Sequence, residues 1–214
     1  MTALEMIKQI DVLTHSSIRI RADKIIYIDP FQIDGNPKDA DVLFITHDHF
    51  DHFSPEDIKK VFKNDTTFVI PEAMREVCGP LLAKENELIC VKPGQKMNAA
   101  GIEIETIAAY NMNKEFHPKE NGWVGYILNL NGIRCYVAGD TDITEENKKV
   151  NCDIAMIPIG GTYTIDAEEA AEFINGIKPE IAIPIHYGNI VGKLEDADVF
   201  KSLVDSSIQV ITKL

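Results

Sequence analysis

Apolar runs of four to eight residues, divided by turn formers, set the rhythm of this chain. Runs over residues 11–15, 18–21 and 25–29 read as short strands, with Asp29-Pro30 closing the third, and 42–46 reads as the next. Further strands are expected over 66–70, 88–91, 102–109, 124–130, 133–138, 154–159, 181–185 and 209–212. Asn131-Gly132 joins two of these as a two-residue hairpin, and Pro93-Gly94 marks a turn between 88–91 and 102–109. The unbroken apolar runs at 154–159 and 181–185 suit strands covered on both faces.

Four helices are legible from their ends and periodicity. Ser54 stands as an N-cap before Pro55, with Asp57 three residues on. A short helix is expected over 71–77, ending near Gly79, and another over 197–204. Asp166 and Glu169 have capping-box spacing and open a helix running to about residue 177. Strands followed by a helix, twice over, fit two sheets packed face to face with helices outside. No linker, low-complexity stretch or appended unit interrupts the pattern, so residues 1–214 read as a single domain.

Composition narrows the function classes. Hydrophobic residues make up 45% and charged ones 26%, ordinary for a globular chain. The formal charge of −13 argues against gripping nucleic acid phosphates or an anionic membrane surface. Bound cations would offset part of that acidity. Cys78, Cys90, Cys135 and Cys152 form no Cys-x-x-Cys pair and lie in or beside apolar runs, as buried reduced thiols do. The first residues lack the apolar core of an export signal, and no run reaches the length of a membrane span. A cytoplasmic protein acting on a small molecule is the expectation.

The chemistry concentrates in Thr46-His47-Asp48-His49-Phe50-Asp51-His52, where three of the six histidines fall within six residues. The segment lies between a buried strand and a capped helix, so a short loop between rigid elements aims imidazoles and a carboxylate at one spot. Those groups are ligands of zinc and other borderline divalent ions. The order His47-x-His49-x-Asp51-His52 resembles the signature of the metallo-β-lactamase superfamily. Further matches follow: His117 before the hairpin, Ala138-Gly139-Asp140-Thr141 closing one strand, and Pro184-Ile185-His186-Tyr187 closing another. The likeness runs from about residue 9 to the end of the chain.

The resemblance implies an α/β (α+β) fold, an αββα sandwich of two mixed β-sheets with helices on the outer faces. It also implies two divalent ions, zinc foremost, with manganese, iron or nickel compatible. His47, His49 and His117 would form one position, Asp51, His52 and His186 the other, and Asp140 would bridge them. Asp51 and Asp140 would serve catalysis, the pair of ions sharing one hydroxide that attacks the substrate. His117 stands in Glu115-Phe116-His117-Pro118, unlike the Gly-His-Thr-x-Gly turn of many members, so a surface-loop histidine stays the alternative.

Outside that set, His15 reads as a hydrogen-bonded structural histidine, with a place near the pocket mouth as the alternative. Asp48 reads equally as a partner of the ligands or a solvated carboxylate. Pro158 through Thr164 follows a buried strand and precedes a capped helix. Gly161, Thr162 and Tyr163 there are candidates to touch substrate, since glycines allow close approach and a helix N-terminus attracts anions. Tyr187 lines the pocket or packs as a core aromatic. The wording of this loop resembles the superfamily branch of L-ascorbate-6-phosphate lactonase and N-acyl-phosphatidylethanolamine phospholipase D. The expected function is hydrolysis of an ester, lactone or phosphodiester. The alternative is a non-catalytic metal-binding sensor or binding module on the same fold, and a homo-oligomer stays open.

Overall fold

The computed structural model, which describes residues 1–214, forms two mixed sheets lying face to face. The first takes its strands in chain order: β1 (Ile10–Thr14), β2 (Ser17–Arg21), β3 (Ile25–Ile28), β4 (Ala40–Phe44), β5 (Phe62–Pro71) and β6 (Glu87–Val91). The second comprises β7 (Lys96–Ala99), β8 (Ile102–Ala108), β9 (Val124–Leu130), β10 (Ile133–Val137), β11 (Ile154–Pro158), β12 (Ile181–Ile185) and β13 (Gln209–Val210), also in sequence. Each sheet begins antiparallel and ends parallel. The predicted αββα sandwich is therefore the observed one.

Alternation along the strands makes the layers. In β4, Val42 and Phe44 face the 28-residue cluster between the sheets, while Leu43 faces an outer cluster. In β11, Ile154 and Met156 face inward, and Ala155 and Ile157 face outward. The central strands are thus apolar on both sides, which is why their runs are unbroken. Each fully buried Ile or Met adds roughly 1.5–3 kcal/mol of transfer free energy.

Helices cover the outer faces. The first sheet is covered by α2 (Pro55–Val61) and α3 (Arg75–Cys78), through Ile58, Val61, Met74 and Cys78. The second lies under α4 (Ala167–Ile177) and α5 (Asp196–Leu203), through Ala170, Phe173, Ile174 and Phe200. Ser54 caps α2 and Asp166 caps α4, both as their sequence signatures require. A further turn of helix, α1 (Ala3–Met6), is opened by a capping box between Thr2 and Glu5 that the periodicity did not reveal.

Two expectations need correction. The strands predicted at 88–91 and 102–109 do not pair across Pro93-Gly94. β6 ends the first sheet, and the chain crosses there to the second. β8 pairs instead with β9 and with β7, and the Lys-Met-Asn-Ala sequence of β7 buries only its last residue and so carries no apolar run. The helix predicted over 71–77 opens as a 3₁₀ turn, Glu72–Met74, before α3.

One edge of the sandwich collects the ends that matter. Two antiparallel steps return β3 to the direction of β1, and β4 runs parallel to β3. The ends of β1, β3 and β4 therefore lie together. Likewise the ends of β10, β11 and β12 meet the start of β9. Cross-sheet bonds stitch this edge: Tyr126 Oη donates to Ile45 O at 2.7 Å, and His186 N to His15 O at 3.0 Å.

Candidate metal centre

Seven side chains converge at that edge. His47, His49, Asp51 and His52 come from the loop after β4, His117 from the approach to β9, and Asp140 and His186 from the ends of β10 and β12. The ligand atoms of His47, His49 and His117 lie within 4.8 Å of one another. Asp51 Oδ2 stands 3.5 Å from both His52 Nε2 and His186 Nε2. Asp140 reaches both groups: Oδ2 is 3.3 Å from His117 Nε2 and 3.0 Å from His186 Nε2, and Oδ1 is 3.2 Å from His52 Nε2.

These atoms are close without satisfying one another. Nε2 of His47, His52, His117 and His186 and Oδ1 of Asp140 are buried and have no hydrogen-bond partner. Buried orphans of that kind are rare and each costs about 1–3 kcal/mol. Five pointing at one volume, with no Lys or Arg paired to Asp51 or Asp140, suit divalent cations.

Partners behind the imidazoles set the tautomers that ligation requires. His52 Nδ1 donates to Asp29 Oδ2 at 2.7 Å. Thr46 Oγ1 donates its proton to the same oxygen at 2.6 Å, so it accepts from His47 Nδ1 at 2.9 Å. Asn111 Oδ1 accepts from the amide and Nδ1 of His117 at 3.1 and 2.9 Å, while its Nδ2 donates to Asp142 and Tyr163 O. In all three histidines a neutral ring would carry its proton on Nδ1 and present the Nε2 lone pair to the shared space.

Electrostatics follow from burial and proximity. Burial opposes ionisation of Asp140, yet His186 and His52 hold it well below the usual carboxylate range. Asp51 behaves alike, held down by its hydrogen bond to His15 and by the nearby His186 and His52. Burial would lower His52, but Asp140 and Asp29 raise it well above an ordinary histidine. Burial pushes His47 well down and raises Asp29.

Backbone strain marks the same edge. His15, Asp29 and His186 are non-glycine residues with φ of 47°, 47° and 59°. Such left-handed positions cost about 1–3 kcal/mol each and persist where surrounding structure enforces them. Gly139 delivers Asp140 with φ of 66°, and a Cβ there would stand 3.2 Å from Thr46 Cβ.

A cavity of about 350 Å³ opens beside the cluster, lined by His49, Asp51 and Asp140 together with Phe50, Phe116, Tyr163 and Ile190. Of the residues expected to touch substrate, Tyr163 lines it. Gly161 and Thr162 do not, because the loop turns back through a Gly161 N to Ile165 O bond of 3.1 Å and leaves Thr162 exposed. Nor is the start of α4 free for an anion, since Asp166 Oδ1 already accepts from Glu169 N. Tyr187 is packed against the α4 and α5 side at 2% exposure, the core alternative. Asp48 is exposed and outside the cavity lining.

His117 is fully buried within the cluster, so the surface-loop alternative does not apply. His15 is buried in the cluster too, with Nε2 3.2 Å from Asp51 Oδ2 and its ring 3.9 Å from that of His186. Sequence reasoning missed that contact, along with Asp29, Asn111 and Trp123, whose ring lies 5.0 Å from those of His47 and His49. Asp29-Pro30 at a strand end was the one local signal for Asp29.

Comparison with known proteins places this geometry among relatives. The family model described as Beta-lactamase superfamily domain matches residues 9–186. A metal-dependent hydrolase of Thermoplasma acidophilum is 32% identical over 201 residues, covering 88% of this chain and 87% of that one. Another, of Thermococcus onnurineus, is 28% identical over 213 residues and covers 93% of each chain. The crystal structure of a putative metal-dependent hydrolase from Parabacteroides distasonis superposes with a TM-score of 0.79 at 30% identity, covering 96% of this chain and 92% of that one.

Proposed function

The chain belongs to the β-lactamase superfamily, and from that premise we propose that it is a hydrolase using two divalent ions to cleave an ester, lactone or phosphodiester of a small molecule. Its relatives of Thermoplasma acidophilum and Thermococcus onnurineus are metal-dependent hydrolases, which supports the coarse reading. The observation that carries the finer one is the convergence of four unpartnered Nε2 atoms and Asp140 Oδ1 beside an open cavity. His47, His49 and His117 would hold one ion, Asp51, His52 and His186 the other, with Asp140 reaching both. Zinc is the first candidate, ahead of manganese, iron and nickel.

When bound, such a pair supplies acidification of a water and polarisation of the oxygen under attack. The protein's own groups do the rest. Asp29, Thr46 and Asn111 keep three imidazoles in the ligating tautomer. His15 Nε2 donates to Asp51 and fixes its carboxylate. The other Asp51 oxygen is left to accept from an attacking water, and Asp51 lines the cavity. Tyr163 and the apolar residues of the cavity lining would cover one face of a bound substrate. All seven ligand candidates come from one chain, so the site does not need a second copy. No helix of this chain is long and apolar enough to cross a membrane.

Elemental analysis of native protein, coupled to turnover of a small ester, a lactone and a phosphodiester, tests the proposal. About two ions per chain, activity lost on chelation and restored on refilling, and loss of turnover in Asp51→Ala are the expected results. One ion or none, with silence across the panel after refilling, would refute it and favour a non-catalytic metal-binding module.

A further inference from the structure

Resting on that reading, we infer that the substrate is a neutral ester or lactone carrying an apolar group about the size of a ring, seated against Phe50, Phe116, Tyr163 and Ile190. The rest of the lining is largely apolar, and three of its members are open to solvent. Phe50 is 66% exposed, Phe116 46% and Ile190 36%. Single exposed apolar residues are ordinary, but three around one cavity mouth form a patch of the kind that marks a binding groove. The rings are braced from behind. Phe116 meets Tyr163 edge-on at 4.7 Å, and Phe50 meets Phe31 at 6.0 Å, so the wall is a formed surface.

Charge points the same way. No Lys or Arg lines the cavity, and its ionisable members are His49, Asp51 and Asp140. Of the cations within three residues of the lining, Lys114 pairs with Asp142 and Lys119 with Glu146, and Lys193 is exposed outside the lining. A phosphate-bearing substrate would find no Arg or Lys among the lining residues to recognise it. Size sets the scale: an apolar cavity of about 150 Å³ admits benzene, and this one measures about 350 Å³. A ring or short chain plus the scissile group fits. The reaction adds one water across the acyl C–O bond: the acyl carbon leaves as carboxylate, the alcohol oxygen takes a proton, and one proton goes to solvent.

Two readouts on metal-loaded protein separate this inference from the proposed activity. The first is kcat/KM for p-nitrophenyl acetate, butyrate and hexanoate against bis(p-nitrophenyl) phosphate. The second is calorimetric binding of the unreactive p-nitrophenyl methyl, butyl and hexyl ethers. A fully buried methylene gives about fourfold, equivalent to ~0.8 kcal/mol, so partial burial should raise kcat/KM about tenfold or more from acetate to hexanoate. Ether affinity should rise in parallel. Phe50→Ala and Phe116→Ala should each flatten both series with metal content per chain unchanged.

A flat series, or preference for the anionic diester, overturns the inference while leaving the hydrolase standing. Ethers binding with the expected slope while no ester is cleaved would support the apolar-ligand site and sink the hydrolase. If the Phe variants dissociate an oligomer and ether affinity does not move, the patch is an interface between copies and the inference is wrong.

Discussion

Replacing Asp29 by Asn changes one oxygen to an NH2 group and should disarm two metal ligands at once. Asp29 Oδ1 accepts from Thr46 N at 2.8 Å, while Oδ2 accepts from Thr46 Oγ1 and His52 Nδ1. With NH2 at the second position, His52 Nδ1 must accept, and its proton moves to Nε2, into the site. Thr46 Oγ1 must also accept, so its own proton turns to His47 Nδ1 and drives that ring into the same wrong tautomer. Restoring both tautomers for metal breaks two buried hydrogen bonds, about 1–3 kcal/mol each. The cheaper escape is to flip the amide, which sets its NH2 against the Thr46 N–H and costs one such clash. That route fixes the expected loss at about 1–3 kcal/mol, or about 5- to 150-fold in zinc affinity.

Competition with a chromophoric chelator at neutral pH measures the loss, and imidazole nitrogen shifts of the metal-free variant report the protonated Nε2. Asp29 is buried and hydrogen-bonded to His52, so the amide should weaken the metal-free fold as well. The melting temperature of that form is the control. Zinc affinity within twofold of the parent, in a folded variant, would refute the tautomer reasoning.

Three other outcomes are expected. Asn111→Leu removes the acceptor of His117 Nδ1 and should weaken metal at the His47, His49 and His117 position about 10- to 100-fold, read by stoichiometric zinc titration. Gly139→Ala places a Cβ 3.2 Å from Thr46 Cβ at a φ of 66°. It should cost about 1–2 kcal/mol and lower the melting temperature by about 2–8 °C. Burial alone would raise Asp57, yet Lys60, Ser54 and the amides of Ile33 and Gln32 hold it below the usual range. Its folded pKa is depressed, so its contribution is present above pH ~3.9 and lost as pH falls through the folded value. Asp57→Asn should therefore destabilise by about 1–3 kcal/mol near pH 7, and urea denaturation should show the difference closing below that range.

What the sequence disclosed depended on whether a role was local. His47, His49, Asp51 and His52 sit in one loop, so their convergence could be seen without a fold. Asp140 and His186 were visible through the family resemblance, which marks both motifs at predicted strand ends. Asp29 and Asn111 were silent because their work is tertiary: Asp29 is 23 residues from His52, and Asn111 is 31 from Asp142. The same holds for β7, whose strand state comes from pairing with β8 and from no pattern of its own. Tyr187 directly follows His186 and packs on the helix side instead, because the chain has left β12 and turns through a left-handed backbone at His186.

Each presumed ion position borrows from both sheets. His47 and His49 belong to the first and His117 to the second; Asp51 and His52 belong to the first and His186 to the second. Neither half of the chain carries a full set, so tight metal uptake is a signal that the two halves have docked. During refolding, ions should be blind to a chain with only one sheet formed, and should latch the sandwich shut once both edges meet.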